Sequence, residues 1–263
     1  MNQQITAGID IGASTSKAVI LEGNQIISYS IIPTGAESTG SAQRAMDEAL
    51  SKKACLSLGD IRWMVATGYG RIIVPFANET ITEISCHAKG ANWLFPSVRT
   101  VLDMGGQDCK AIRCDDQGRL LNFVMNDKCA AGTGRFLEIM AKVMELPLED
   151  IGELSLQARE ETKINSTCTV FGKSEVVSLI RQGKDERDIL AGLHTAITNR
   201  VYTLLRKVGI KPDFAITGGI AKNIGVVSKL EERAGLKALL PEEPQIVGAL
   251  GAALFAQDKL SKQ

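Results

Sequence analysis

Hydrophobic positions along the chain fall into two rhythms. ITAGIDIG (5–12), SKAVILE (16–22) and QIISYSIIP (25–33) are dense in Ile and Val and separated by short turns, which predicts three consecutive strands. SAQRAMDEALSKKA (41–54) instead places Ala42, Ala45, Met46, Ala49 and Leu50 at helical spacing. IRWMVATG (61–68) predicts a further strand, and ITEISCHAKGANWLF (81–95) a helix that ends before Pro96. Later patterns predict helices over 133–145, 148–160, 172–182, 185–208, 223–235 and 247–260. Between these lie short strands over 213–219 and 236–241. Strands alternating with helices make the chain α/β.

One block of this pattern occurs twice. RTVLDMGGQDCKAIRCDDQGRLLNFVMND aligns with QITAGIDIGASTSKAVILEGNQIISYSI: Asp10 recurs as Asp103 and Lys17 as Lys110, both 93 positions on. Gly12 aligns with Gly105 and Ser14 with Gln107. Each copy reads strand, Asp-x-Gly, tight turn, strand, turn, strand. A repeat at that distance implies two similar lobes, not a solenoid. The expected division is a first lobe over 1–98 and a second over 99–244, with a C-terminal helix in 245–263 that packs back on the first.

The two Asp-x-Gly turns carry the candidate chemistry. Each strand delivers a carboxylate, and the glycine after it lets the backbone approach a ligand closely. Around Gly12 and Ala13, successive backbone N–H groups, the hydroxyls of Ser14, Thr15 and Ser16, and the Lys17 ammonium can surround a phosphate chain. Gly105 and Gly106 offer a second such turn. Asp10 and Asp103 would face one another across a cleft, placed to hold Mg²⁺ through water. TGGIAKN (217–223), with Gly218, Gly219 and Asn223, is a third glycine turn leading into a helix N-terminus, a favourable place for phosphate or ribose. The sequence contains no GxxxxGK[ST] and no GxGxxG after a strand, which excludes a P-loop motif and weakens a dinucleotide site.

Bulk properties narrow the class. With 263 residues the chain can bury a real core, and 30 basic against 30 acidic side chains give no field pointing to nucleic acid or an anionic membrane. No leader pattern and no long apolar run is present, so a cytoplasmic location is expected. The six cysteines then argue against a disulfide framework, and the absence of CxxC argues against an ordinary zinc site. Cys55, Cys86, Cys109 and Cys114 read as small buried hydrophobes. Cys129 in NDKCAAGTGRF and Cys168 in NSTCTVFGKSE follow polar, cap-like residues and precede helical runs, where a thiolate is favoured. From chemistry alone these two thiols could serve a metal or nothing. Two thiolates cannot complete a four-thiolate iron–sulfur site, but a twofold dimer would supply four.

The paired turns followed by TGG resemble the actin, Hsp70 and sugar kinase superfamily, which implies two actin-like (ribonuclease H-like) lobes with an ATP cleft between them. More narrowly, NDKCAAGTGRF, STCTVF-x-x-SEV, DMGGQD-x-K and ATGYGR (66–71) resemble the ATPase activators of 2-hydroxyacyl-CoA dehydratases, of BadF/BadG/BcrA/BcrD type, relatives of the ATP-hydrolysing subunits of benzoyl-CoA reductase. The resemblance extends through TGGIAKN and GALGAALFA, nearly the whole chain. It implies an ATPase in which a homodimer shares one [4Fe–4S] cluster, here through Cys129 and Cys168. A ferredoxin or flavodoxin would supply one electron, and ATP hydrolysis to ADP would drive it into a partner dehydratase or related reductase under anaerobic conditions. It also implies that Ser14, Thr15 and Lys17 bind phosphate, that Gln107 or Asp103 positions the attacking water, and that Gly218 and Gly219 contact the nucleoside. The alternative weighed is a small-molecule (sugar) kinase of the same superfamily. His194 and the segment VGALGAALFA read as packing elements.

Overall fold

The computed structural model describes residues 4–35, 38–126, 129–165 and 168–261. Its first sheet runs β3-β2-β1-β4-β5, built from β1 (Ile5–Ile11), β2 (Thr15–Glu22), β3 (Gln25–Pro33), β4 (Ile61–Thr67) and β5 (Glu79–Thr80). The second runs β10-β9-β6-β7-β8, from β6 (Thr100–Met104), β7 (Cys109–Cys114), β8 (Leu120–Asn126), β9 (Phe214–Thr217) and β10 (Ala238–Leu239). In both, the first three strands are antiparallel neighbours and the fourth joins the first in parallel. The repeat seen in the sequence is therefore a repeat of topology and of register. Asp10 pairs with Lys17 across β1 and β2, and Asp103 with Lys110 across β6 and β7.

Eight helices complete the described fold: α1 (Ser38–Ser51), α2 (Glu83–Leu94), α3 (Gly134–Val143), α4 (Ile151–Leu156), α5 (Thr169–Arg181), α6 (Glu186–Val208), α7 (Ile224–Ala234) and α8 (Val247–Leu260). α1 buries Ala42, Ala45, Met46 and Ala49 against Ile9, Ile11, Ala18 and Ile20. On the other side of that sheet, α8 lays Ala249, Leu250, Ala253 and Leu254 against Val19 and Leu21. Its approach is close because β1 carries Gly8, where a side chain would overlap the Ala249 carbonyl. In the second half, α3, α6 and α7 enclose Leu102, Met104, Phe214 and Ile216. α2 and α8 cross through Gly90 and Gly251, positions where an added Cβ would strike the backbone of the other helix.

α4 is shorter than its hydrophobic pattern predicts. Beyond Leu156, the backbone N–H groups of Arg159 and Glu160 donate to Asp188 Oδ1 at 2.8 and 3.1 Å, which diverts them from a helical ladder. α5 begins three residues earlier than predicted, at Thr169, with Cys168 as its N-cap. Cys86, Cys109 and Cys114 are buried as expected, but Cys55 is exposed and sits at φ 64°, just past the end of α1.

Candidate functional site

Both duplicated turns close in the same way. Gly12 N–H donates to Thr15 O at 3.1 Å, and Gly105 N–H donates to Asp108 O at 3.0 Å. The turns face each other, since a Cβ on Gly106 would overlap the Ser14 hydroxyl. Beneath them lie Asp10 and Asp103, 5% and 4% exposed. Each has a glycine of positive φ close by at the end of a parallel strand: Gly68 (φ 86°) beside Asp10 and Gly218 (φ 82°) beside Asp103. At both, a side chain would collide with the carboxylate and the strand backbone, so only glycine fits.

The two lysines differ sharply. Among the described residues Lys17 Nζ has one acidic partner, Asp10 Oδ2 at 3.1 Å. Lys110 Nζ is held by Asp108 at 2.7 Å, Glu83 at 3.2 Å and Asp103 at 3.4 Å. Burial works against the Lys110 charge, but the three carboxylates outweigh it and raise its pKa above the ordinary lysine value. Burial would likewise raise the Asp103 carboxyl, yet the imidazole of His87 and the ammonium groups of Lys110 and Lys17 hold it below the usual aspartate range. Lys110 is thus a structural clamp, whereas Lys17 is the cation able to turn toward a phosphate.

The remaining predicted residues divide. Ala13, Ser14 and Gln107 are exposed at the turns, and Thr15 opens β2 half-buried. Ser16 points inward: its hydroxyl is fully buried and lies 2.8 Å from Thr34 Oγ1, which donates to Gly12 O. Gly219 is exposed beside Gln245. Asn223 caps α7, accepting from Val226 N–H at 3.0 Å, and its amide nitrogen lies 3.3 Å from His194 Nε2.

The cysteine stretch differs from the sequence expectation. Cys168 does stand at a helix start, but Cys129 lies in the loop before α3, whose N-cap is Thr133. The first free N–H groups of α3 serve the Gly105–Gly106 turn instead: Gly134 N–H donates to Gly105 O at 2.9 Å and Arg135 N–H to Gly106 O at 2.8 Å. Asn126 ties the loop back to β8, donating to the carbonyls of Cys129 and Ala131 at 3.1 and 3.2 Å. Cys129 is half-buried and Cys168 exposed, with Val170 and Phe171 exposed beside it. The polar residues preceding each cysteine, Asp127 and Lys128, Ser166 and Thr167, lie outside the described residues.

Sequence reasoning missed His87, Thr217 and Glu83 as parts of this site. His87 Nε2 lies 3.5 Å from Asp103 Oδ2, and Thr217 lies opposite Asp103 in the β6–β9 register. Thr217 had a legible signal, because Thr67-Gly68 and Thr217-Gly218 occupy matching places at the ends of β4 and β9. The helical insertion between β8 and β9 breaks the 93-residue step and hides that match.

A pair of identically wound sheets, with opposed glycine turns and buried aspartates at their facing ends, defines an actin-like two-lobed ATPase. The chain belongs to the BadF/BadG/BcrA/BcrD ATPase family, whose pattern matches residues 7–256. It is 46% identical over 259 residues to the activator of lactoyl-CoA dehydratase from Anaerotignum propionicum, covering 98% of this chain and 99% of the relative. It is 44% identical to the 2-hydroxyisocaproyl-CoA dehydratase activator from Clostridioides difficile, covering 97% of this chain and 95% of the relative. The solved structure of the activator of the 2-hydroxyisocaproyl-CoA dehydratase from Clostridium difficile, with bound ADPNP, superposes with a TM-score of 0.94. The identity is 42%, over 98% of this chain and 96% of the other. Among the described residues no helix is long and apolar enough to cross a membrane.

Proposed function

We propose that the protein is an activator of a 2-hydroxyacyl-CoA dehydratase or related reductase, a homodimer that couples ATP hydrolysis to delivery of one electron. The observation that carries this reading is the backbone junction of Gly134 and Arg135 with Gly105 and Gly106. The same short stretch that bears Cys129 is hydrogen-bonded to the turn that would grip the phosphates. A shift of that turn between ATP and ADP is therefore passed to the thiol loop, with Asn126 holding its other end.

In this reading Lys17, Ser14 and the backbone of both turns bind the phosphates, and Asp10 and Asp103 order Mg²⁺ through its waters. Two buried carboxylates at the foot of the cleft are hard oxygen donors that suit that ion. Asp103 or Gln107 aims the attacking water. Residues up to 98 would act as one lobe with α8 returned to it, and residues 99–244 as the other.

The thiols fit a shared cluster by their accessibility. Burial pushes the Cys86 thiol up to about 12 and Cys114 to about 11, and raises Cys109 further, so these stay protonated and inert. Cys55, Cys129 and Cys168 remain accessible; of these, only Cys129 and Cys168 lie in the segments NDKCAAGTGRF and STCTVF that resemble the family's motifs, and they are the proposed ligands, two from each subunit. A [4Fe–4S] cluster bound there would supply one-electron storage, loaded by a ferredoxin or flavodoxin.

The test is purification without oxygen, followed by iron, sulfide and EPR measurement with and without ATP. One cluster per dimer, lost in both Cys129→Ser and Cys168→Ser while nucleotide binding persists, is the expected result. A full cluster in either variant would overturn the assignment.

A further inference from the structure

The duplication should give both aspartates the same surroundings, and for most contacts it does. Each faces a lysine on the adjacent antiparallel strand and a threonine on the adjacent parallel strand, Thr67 for Asp10 and Thr217 for Asp103. The difference comes from α2, which passes between the sheets and presents successive residues to the two lobes. Cys86 lies against Thr67, and no described residue offers the Thr67 hydroxyl a nitrogen or oxygen. His87 meets Thr217, with Nδ1 3.0 Å from Oγ1.

The direction of these bonds follows from the carboxylate, which only accepts. Thr217 Oγ1 donates to Asp103 Oδ1 at 3.3 Å, so the hydroxyl accepts from His87 Nδ1–H. His87 Nε2 and Lys110 Nζ both face the other oxygen, Oδ2, at 3.5 and 3.4 Å. Both oxygens of Asp103 are therefore fixed, from three separate elements, while Asp10 Oδ2 meets Lys17. The imidazole has no room to swing away. A Cβ on Gly248 of α8 would stand 2.8 Å from His87 Nε2 and 3.2 Å from Asp10 Oδ2, so the ring packs close against that backbone, with Asp103 Oδ2 on its Nε2.

We infer that His87 is a positioning residue for ATP hydrolysis: it aims Asp103 through Thr217, making the second lobe's aspartate the rigid one of the pair. This rests on the reading of Asp103 as the carboxylate that orders Mg²⁺ and water. Because α2 also carries the glycine crossing with α8, the aim of Asp103 depends on how that helix pair sits between the lobes. A group held in productive geometry by such outer partners loses rate, not substrate affinity, when they are removed.

The experiment is steady-state ATP hydrolysis by the full chain, with bound nucleotide counted per subunit. His87→Ala and Thr217→Val should each lower kcat by about 10- to 100-fold with KM for ATP unchanged. The double variant should fall no further than either single one, because both remove one relay. His87→Asn, whose amide nitrogen can donate to Thr217 as Nδ1 does, should recover most of kcat, and it carries the test should His87→Ala fail to fold. Wild-type turnover in His87→Ala, losses that multiply in the double variant, or His87→Asn no better than His87→Ala would overturn the inference. Asp103→Ala separates the two levels: if it hydrolyses ATP normally the reading of Asp103 fails, and if it is inactive while His87→Ala is not, only the role of His87 fails.

Discussion

Gly106 lies directly against Ser14, joining the glycine turn after β6 to the one after β1. An added Cβ at 106 would overlap the Ser14 hydroxyl and stand 2.9 Å from its Cβ. Its φ lies outside the left-handed region, so alanine meets no backbone penalty there and the consequence is purely steric. Gly106→Ala should hold the turns apart and weaken ATP binding by about 1–3 kcal/mol, roughly 5- to 150-fold in Kd. Titration with a fluorescent ATP analogue measures this. Unchanged affinity would mean that the turns need not meet to grip the nucleotide.

The two repeat-related lysines should behave in opposite ways. Lys110→Met leaves Asp103, Asp108 and Glu83 around an apolar side chain in a site where the lysine is 4% exposed. Stability should fall by about 3 kcal/mol, read by urea unfolding, because buried charges lose their partner. Lys17→Met leaves one buried carboxylate, Asp10, without its lysine where Lys110→Met strands three, so it should destabilise less than Lys110→Met, yet lose most ATP hydrolysis. Equal stability losses in the two variants would contradict the division of labour drawn from their partners.

His194 gives the stability a specific acid dependence. It is fully buried on α6, Nδ1 has no partner among the described residues, and Nε2 faces the Asn223 amide nitrogen. Asn223 Oδ1 is committed to Val226 N–H, so the amide cannot turn its oxygen to the ring, and Nε2 must remain an acceptor. Burial, with Lys229 nearby, lowers the His194 pKa from 6.5 to about 4. The unfolded chain then binds a proton that the folded chain refuses, so stability is intact above pH 6.5 and falls as pH drops toward 4. The loss approaches about 3 kcal/mol. His194→Gln should flatten that part of the stability profile in urea unfolding at stepped pH. A slope unchanged by the substitution would assign it to other groups.

How much of this was legible beforehand depends on how far apart the partners lie in sequence. The 93-residue repeat exposed the Asp–Lys pairs because both members sit on adjacent strands of one hairpin. The extent of α8 was readable because its apolar run is uninterrupted and matches Val247–Leu260. His87 left no such trace, since its partner Thr217 arrives from 130 residues away. The docking of α3 was misread for a related reason. CAAGTGRF looks like a turn that presents Cys129 to a helix start, and only the folded chain shows the N–H groups already taken by Gly105 and Gly106. Ser16 reads as a ligand because its hydroxyl stands next to a glycine turn, and only the folded chain shows that hydroxyl buried against Thr34 Oγ1.

The first turn of α5 should be where two copies of the chain meet. Val170 and Phe171 are 70% and 68% exposed, an apolar pair immediately after the accessible Cys168. A twofold dimer that brings two Cys168 thiols to one centre would carry these neighbouring side chains toward the axis, and burying a phenylalanine contributes about 1.5–3 kcal/mol. Phe171→Glu places like charges across that axis. It should shift the protein from dimer to monomer in sedimentation and lower its iron content, because in the proposed dimer each subunit would hold only half of the thiolates. Nucleotide binding should persist, since Phe171 contributes nothing to the turns at Gly12 and Gly105. A Phe171→Glu variant that stays dimeric with its full complement of iron would move the interface, and with it the shared site, to another face of the molecule.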